Sequence, residues 1–322
     1  MPVLRGALPC IAGERLTDLT SNVGSVELAT PVIAASGTYG YGVEYDGLVD
    51  WSLVGAIAVK GLSVTASTGH VAPRMVETAA GMLNAIGLQN IGVDEFVAKK
   101  LPALRGFGPR IVANCWGNTP DEYEEVVSRL DEVLGIDALE LNLSSPNKRE
   151  WGRAPATDAR ATEEIVRRCR GRTKRPLWVK LSPNVTDVTE IARAAEAAGA
   201  DAVSLINTLK GMAIDIFARR PILSNISGGL SGPAVKPVAL YMVYETCRAI
   251  RVPVVGGGGI ASGADAVEFL MAGASAVQVG TASLYDPNAP ARIAREVADV
   301  VADLGEPSVR DIIGTLVDGG KD

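Results

Sequence analysis

A chain of 322 residues with 47% hydrophobic and 21% charged residues has ample material for a core, and that balance excludes a disordered polymer. The net charge of −6, with no Lys/Arg run able to track a phosphate backbone, excludes a general nucleic-acid binder; the basic cluster at 168–175 fits the polar end of a helix. No stretch of about 18 apolar residues occurs, and the opening residues lack a signal-peptide pattern, so the expectation is a cytoplasmic protein without a membrane span. Cys10, Cys115, Cys169 and Cys247 are scattered, which points away from a zinc site or an iron–sulfur cluster within this chain. The single histidine, His70, lies in a loop-like stretch and reads as a solvated loop residue; a Ser-His-Asp triad would have to use it or not exist.

In chain order, short β-branched runs alternate with helical segments, the pattern of a parallel sheet with crossover helices. The predicted strands are 31–36 (PVIAAS), 56–61 (AIAVKG), 111–116 (IVANCW), 138–144 (ALELNLS), 177–182 (LWVKLS), 202–208 (AVSLINT), 252–259 (VPVVGGGG) and 276–282 (AVQVGTA). Between them, Thr119 reads as an N-cap followed by Pro120, and the helix from 187 closes on Gly199. Ser262 pairs with Asp265 as a capping box. Eight βα units favour a (β/α)8 barrel, one domain over 1–322, above an open doubly wound sheet. Two long connections, 61–110 and 209–251, leave the C-terminal face and are predicted to cover it as lids or binding elements.

A barrel carries its chemistry at the C-terminal ends of its strands. Here those ends hold Ser36, Lys60, Asn114, Asn142, Lys180, Asn207, Gly258 and Gly280. The last two run into GGGGI (256–260) and GTA (280–282), with helices predicted to start near Ser262 and Asp286, and bare N–H groups there suit a phosphate. The mouth offers two lysines and several asparagines but no inward histidine and no evident carboxylate pair, which disfavours glycoside and metal-assisted hydrolysis. Asparagines donate and accept, matching the imide-like edges of a flavin or a pyrimidine. Lys180 is placed to put positive charge beside a ring atom that becomes negative on reduction; a lysine bound only to phosphate is the plainer reading.

With KGLSVTASTGHVAPR (60–74), GMLNAIGLQN (81–90), ELNLSSPN (140–147), LWVKLSPNVTD (177–187), LINTLKG (205–211), ILSNISGGLSGPAVKPVAL (222–240) and MAGASAVQVGTA (271–282) in order, the chain resembles the dihydroorotate dehydrogenases, FMN enzymes of pyrimidine synthesis. The resemblance runs from about residue 22 to 315. Within that family GMLNAIGLQN and NISGGLSGPAVKPVAL look most like the catalytic subunit of the soluble, two-subunit, NAD-linked type.

The resemblance implies that FMN touches Ala35, Ser36, Lys60, Gly61, Asn114, Asn142, Lys180, Ile206 and Gly232, with its phosphate on Gly258, Gly259, Gly280 and Thr281. It implies that dihydroorotate is held by Lys60, Asn84, Ala85, Ile86, Gly87, Leu88, Asn142, Asn207 and Thr208. A base takes the C5 proton while hydride leaves C6 for the flavin, giving orotate; that base position falls on Ser145, and Ser144 reads as structural. The soluble type usually has Cys at the base position and the membrane-linked, quinone-using type has Ser. The stretch 148–158 (KREWGRAPATD) also replaces an expected Gly-Gly segment. Electrons are expected to pass through a partner subunit carrying FAD and a [2Fe-2S] cluster to NAD, in a homodimer or a heterotetramer. Three alternatives stay open: a direct acceptor such as fumarate or quinone with no partner, a non-catalytic flavin-binding or assembly protein, and a synthase or isomerase that grips a phosphorylated substrate without flavin.

Overall fold

The computed structural model describes residues 17–145 and 154–317. A hairpin of β1 (Ser21–Val23) and β2 (Val26–Leu28) precedes β3 (Val32–Ala34) and β4 (Ala56–Ala58). The chain then makes an excursion through the antiparallel pair β5 (Met75–Thr78) and β6 (Gly81–Asn84). It returns by α1 (Val93–Glu95), a π-helical turn over Phe96–Lys100, and α2 (Leu101–Leu104) to β7 (Arg110–Cys115). Regular βα alternation follows: α3 (Pro120–Asp131), β8 (Ala138–Asn142), α4 (Ala159–Arg170), β9 (Leu177–Lys180), α5 (Val188–Ala197) and β10 (Ala202–Leu205). A second excursion holds β11 (Leu209–Gly211), the pair β12 (Ile214–Asp215) and β13 (Arg220–Pro221), and β14 (Gly228–Ser231). The chain closes with α6 (Lys236–Ala249), β15 (Val254–Gly257), α7 (Gly263–Met271), β16 (Ala276–Val279) and α8 (Ala289–Asp303).

Strands β3, β4, β7, β8, β9, β10, β15 and β16 pair in parallel in that order, and β16 returns to β3, so the sheet is a closed (β/α)8 barrel. Every predicted strand lies in it. The helix starts follow the sequence signals: the Thr119 side chain accepts from Glu122 N–H, and Ser262 and Asp265 form a reciprocal capping box. The last helix departs from expectation. Asp286 precedes Pro287, which disfavours helical backbone at 286, and its carboxylate instead accepts from Asn288 N–H at 3.0 Å. A short 3-10 turn over Thr281–Leu284 fills the space, and α8 begins at Ala289.

Alternation along the strands builds the barrel interior in layers. Near the bottom, Ile33, Ala56, Val112, Ala138, Trp178, Ala202, Val255 and Ala276 form one apolar cluster with Val23, Val26 and Leu28, so the N-terminal hairpin closes that end. Two residues further along five of these strands the inward positions turn polar: Asn114, Glu140, Lys180, Ser204 and Gln278 are all buried. The intervening residues, such as Leu139 and Leu141 on β8, face the helix layer and pack in the main core. A polar layer thus rests on an apolar plug and faces the mouth.

The two excursions meet. Their strands form one antiparallel sheet in the order β11-β14-β6-β5, with Gly229 opposite Asn84. A Cβ on Gly229 would lie 1.8 Å from Thr208 Oγ1, so only glycine lets β14 approach the end of β10 this closely.

Candidate active site

The barrel mouth and the excursion sheet enclose a cavity of 390 Å³, in the size range of small-molecule sites. Its floor is Asn114, Asn142, Lys180 and Gln278; one wall is Ala35, Ser36, Lys60 and Gly61. The lip comes from Asn84, Ile86, Gly87 and Leu88. Opposite stand Ser145, Ile206, Asn207 and Thr208. At the far end Gly232, Gly258, Gly259, Gly280 and Thr281 line a narrow recess. The strand-end groups expected from sequence therefore share one cavity.

Ala85 is the exception. Its methyl is fully buried in a small cluster with Leu83 and Leu223, away from the cavity. Only its backbone bears on the lip: its N–H donates to Arg74 O at 2.7 Å and its carbonyl lies 3.1 Å from His70 Nδ1. His70 is consequently not the solvated residue expected. Half-buried, it braces the lip from behind, and its own N–H donates to Ile86 O at 3.0 Å.

Hydrogen bonds orient the floor. Asn114 Nδ2 donates to Glu140 at 2.6 Å, and Lys180 Nζ donates to Gln278 Oε1 at 2.6 Å. Asn207 Nδ2 donates to Ser144 Oγ at 2.9 Å, and the Ser144 hydroxyl donates to Asn142 Oδ1 at 3.2 Å, which gives this fully buried serine its structural place. Ser145, next along the chain, is half-buried and faces the cavity. The segment that follows it, including 148–153 of the unusual stretch, lies outside the described residues.

Lys60 stands at the mouth. Its Nζ reaches Gly37 O at 3.5 Å, and among the described residues no carboxylate pairs with it. Its pKa lies below the usual lysine value, first because burial penalises the charged form and second because of the Arg74 guanidinium. The sequence gives no sign of Arg74. It lines the cavity and donates to Gln89 Oε1 at 2.7 Å, but it sits on the first excursion, where strand-end reasoning does not look. Gln278 and Glu140 also escape sequence reasoning, because mid-strand polar residues flanked by apolar ones give no positional signal for a site.

The far recess fits a phosphate-bearing group. Gly259 has φ 81°, and a Cβ there would sit 2.8 Å from both Gly232 O and Lys236 N, so the wall is bare backbone. Beside it Thr281 Oγ1 donates to Ser231 Oγ at 2.8 Å. An amide-rich floor that donates and accepts, with Lys180 in it and Lys60 on the wall beside it, suits a planar heterocycle that carries a phosphate.

Fold and site together define a (β/α)8 barrel with one enclosed mouth whose lining suits a planar, phosphate-bearing group. The family model for dihydroorotate dehydrogenase matches residues 18–301, and the chain belongs to the dihydroorotate dehydrogenase family. It is thus an oxidoreductase of a flavin-dependent family. Among similar proteins, the "Dihydroorotate dehydrogenase B (NAD(+)), catalytic subunit" of Geobacter sp. (strain M21) is 51% identical over 299 residues, covering 93% of this chain and 98% of the relative. The protein of the same name from Trichlorobacter lovleyi is 52% identical over 298 residues, 92% of this chain and 98% of the relative. That of Geobacter sulfurreducens is 52% identical over 299 residues, with 93% and 98% covered.

Proposed function

We propose that this chain binds one FMN and oxidises dihydroorotate to orotate in pyrimidine synthesis, as the catalytic subunit of a two-subunit, NAD-linked enzyme. The observation that carries the reading is the convergence of Lys60, Asn84, Asn142, Ser145 and Asn207, from four separate segments, on one cavity whose far end is a glycine cradle. The cradle of Gly258, Gly259, Gly280 and Thr281 takes the phosphate. Ala35, Ser36, Gly61, Ile206 and Gly232 shape the slot for the ring, while Asn114, Asn142 and Lys180 meet its polar edge. Bound FMN supplies the hydride acceptor.

The protein's own groups do the rest. Lys60, as a cation, holds the substrate carboxylate, and Asn84, Asn142, Asn207 and Thr208 match the donors and acceptors of the dihydropyrimidine. Ile86, Gly87 and Leu88 close over it, which removes water and strengthens these contacts. Ser145 takes the C5 proton while giving up its own hydroxyl proton to solvent, and C6 gives up hydride, so the two hydrogens leave as H⁺ and H⁻ and orotate remains. The test is anaerobic mixing of purified, FMN-loaded protein with dihydroorotate. The visible absorbance of the flavin is expected to bleach with formation of orotate; a spectrum that stays oxidised would sink the reading.

Reoxidation requires a second chain in this proposal. Cys115 and Cys169 are buried and Cys247 is half-buried, and no group of His, Cys, Asp or Glu able to hold a metal occurs among the described residues. A partner with FAD and a [2Fe-2S] cluster is the natural carrier, in a heterotetramer built on a homodimer of this chain, in the cytoplasm. No described helix is long and apolar enough to cross a membrane. Ser145 favours a second reading, a direct acceptor such as fumarate or quinone. Coexpression with a Cys-rich partner that confers NAD reduction supports the first; equal turnover of the lone chain with fumarate or a quinone supports the second.

Two substitutions probe the ligand geometry. Arg74→Gln removes one of the two influences that lower the Lys60 pKa, so that pKa rises. Orotate binding, which needs the Lys60 cation, should then persist to higher pH than in wild type, with affinity at neutral pH falling by up to about tenfold. Ionisation of orotate itself is common to both proteins, so the displacement of the alkaline limb in a binding titration reports on Lys60. Gly259→Ala forces alanine to φ 81°, a cost of about 1–2 kcal/mol, and crowds the cradle. FMN affinity should drop about 5- to 30-fold, measured by fluorescence of released flavin.

A further inference from the structure

We propose that Glu140 is a positioning residue that sets the hydrogen-bonding polarity of the whole cavity floor, acting through Asn114 and Gln278. This rests on the reading of the cavity as an FMN and dihydroorotate site. Glu140 is fully buried at the centre of the polar layer, and among the described residues no Lys or Arg lies within ion-pair distance of it. Its Oε2 accepts from Asn114 Nδ2 at 2.6 Å; its Oε1 accepts from Ser204 Oγ and from Gln278 Nε2, each at 2.7 Å. A carboxylate buried without a cation is costly, and an apolar filler would serve a purely structural layer better. The arrangement of its neighbours shows what it does.

A carboxylate only accepts, whereas an amide has one accepting and one donating end. Each amide that touches Glu140 must turn its NH2 inward and its oxygen outward. On one branch, Gln278 then presents Oε1 to Lys180 Nζ at 2.6 Å, anchoring the cation over the floor with one amide between the opposite charges. On the other branch, Asn114 Oδ1 accepts from Asn142 Nδ2 at 3.4 Å, and Asn142 Oδ1 is left to accept from the Ser144 hydroxyl at 3.2 Å. Ser144 Oγ accepts from Asn207 Nδ2 at 2.9 Å, and Asn207 Oδ1 accepts from Thr208 N–H at 2.8 Å. Every link points the same way, back towards Glu140. One charge hidden beneath the cavity thereby dictates which end of Asn114, Asn142, Asn207 and Gln278 each ligand meets. The Lys180 branch serves the flavin edge, and the asparagine branch runs from the flavin edge at Asn114 and Asn142 to the pyrimidine at Asn142 and Asn207.

Glu140→Gln has the same shape and both kinds of hydrogen-bonding end, so it releases the polarity of both branches and removes one negative charge. In FMN-loaded protein the flavin reduction potential is expected to rise, since a lost anion favours the more negative reduced flavin, and orotate affinity to fall on the order of tenfold. Glu140→Asp keeps an acceptor-only head and should stay nearer to wild type in both. The double variant E140Q with Q278E moves the charge one step outward, keeps Lys180 paired, and leaves the amide oxygen at position 140 to accept from Asn114. Potential and orotate affinity should return towards wild type.

If E140Q leaves potential and orotate affinity unchanged at equal flavin occupancy, or if E140D behaves like E140Q, the proposal is overturned. Should E140Q not fold, the charge-moved double variant carries the test: folded protein with both readouts far from wild type also overturns it. Wild-type protein that binds FMN but is not reduced by dihydroorotate would refute the functional reading alone, because the polarity effect is read as a difference in potential between variant and wild type.

Discussion

Ser145→Ala is expected to slow reduction of bound flavin by dihydroorotate about 10²–10⁴-fold, the usual cost of removing a general base, while orotate binds with little change. The split follows from position. Ser145 faces the cavity beside Ser144, whose hydroxyl is already committed between Asn142 and Asn207, so only Ser145 of the pair is left to meet the substrate. A hydroxyl is a far weaker acid than a thiol, whose ordinary pKa is near 8.5, so as a base it depends on giving its own proton away as it takes one. The wild-type rate should accordingly climb with pH through the neutral range. Ser145→Cys should be faster at neutral pH, with its climb centred at lower pH than in wild type. Stopped-flow traces of flavin bleaching across pH measure all three proteins. An alanine variant that bleaches at the wild-type rate removes Ser145 from the mechanism, and a pH-independent wild-type rate removes the hydroxyl argument.

What the sequence carries, and what it does not, follows from the physics of each signal. Strands of a parallel barrel are buried on both faces, so PVIAAS or LWVKLS stand out as apolar runs, and their C-terminal ends mark the mouth without further information. Thr119, Ser262 and Asp265 cap helices by contacts three residues away, which is why those starts are readable. The failures are long-range. Arg74 meets Lys60 only because the first excursion folds back over the mouth. Glu140 looks like the polar half of an alternating strand, and nothing local says that its half faces a closed interior. Ala85 lies between two lip residues in sequence, yet strand alternation turns its methyl away from the cavity and towards Leu223. Asp286 is the local exception: its acidity suggests a helix start, while Pro287 after it argues against one, and the proline prevails.

Lys60→Met should produce opposite effects on binding and on stability. With a 3.5 Å approach to Gly37 O as its one hydrogen bond among the described residues, the ammonium keeps donors for a ligand anion, and losing a charge-assisted contact of about 1.5–3 kcal/mol weakens orotate roughly 10- to 150-fold. Arg74 lines the same cavity and holds the loss within that range. The empty protein should gain stability. Burial and the Arg74 charge both disfavour the Lys60 cation, lowering its folded pKa from the ordinary 10.5. Below that folded pKa the lysine is charged in both folded and unfolded chains, and the penalty on the folded state is present in full. As pH rises through the folded value towards 10.5 the unfolded chain binds more protons than the folded one, so stability increases and the penalty is relieved. Methionine fills similar volume without charge, so the variant should melt at higher temperature than wild type at neutral pH, and the gap should narrow in alkaline buffer. Saturating orotate should reverse the order, because the anion stabilises the lysine protein and hardly the variant. Melting curves with and without orotate at two pH values give all four comparisons, and a wild-type protein that is the more stable of the two when empty would contradict the account of Lys60 as a cation held ready for an anion.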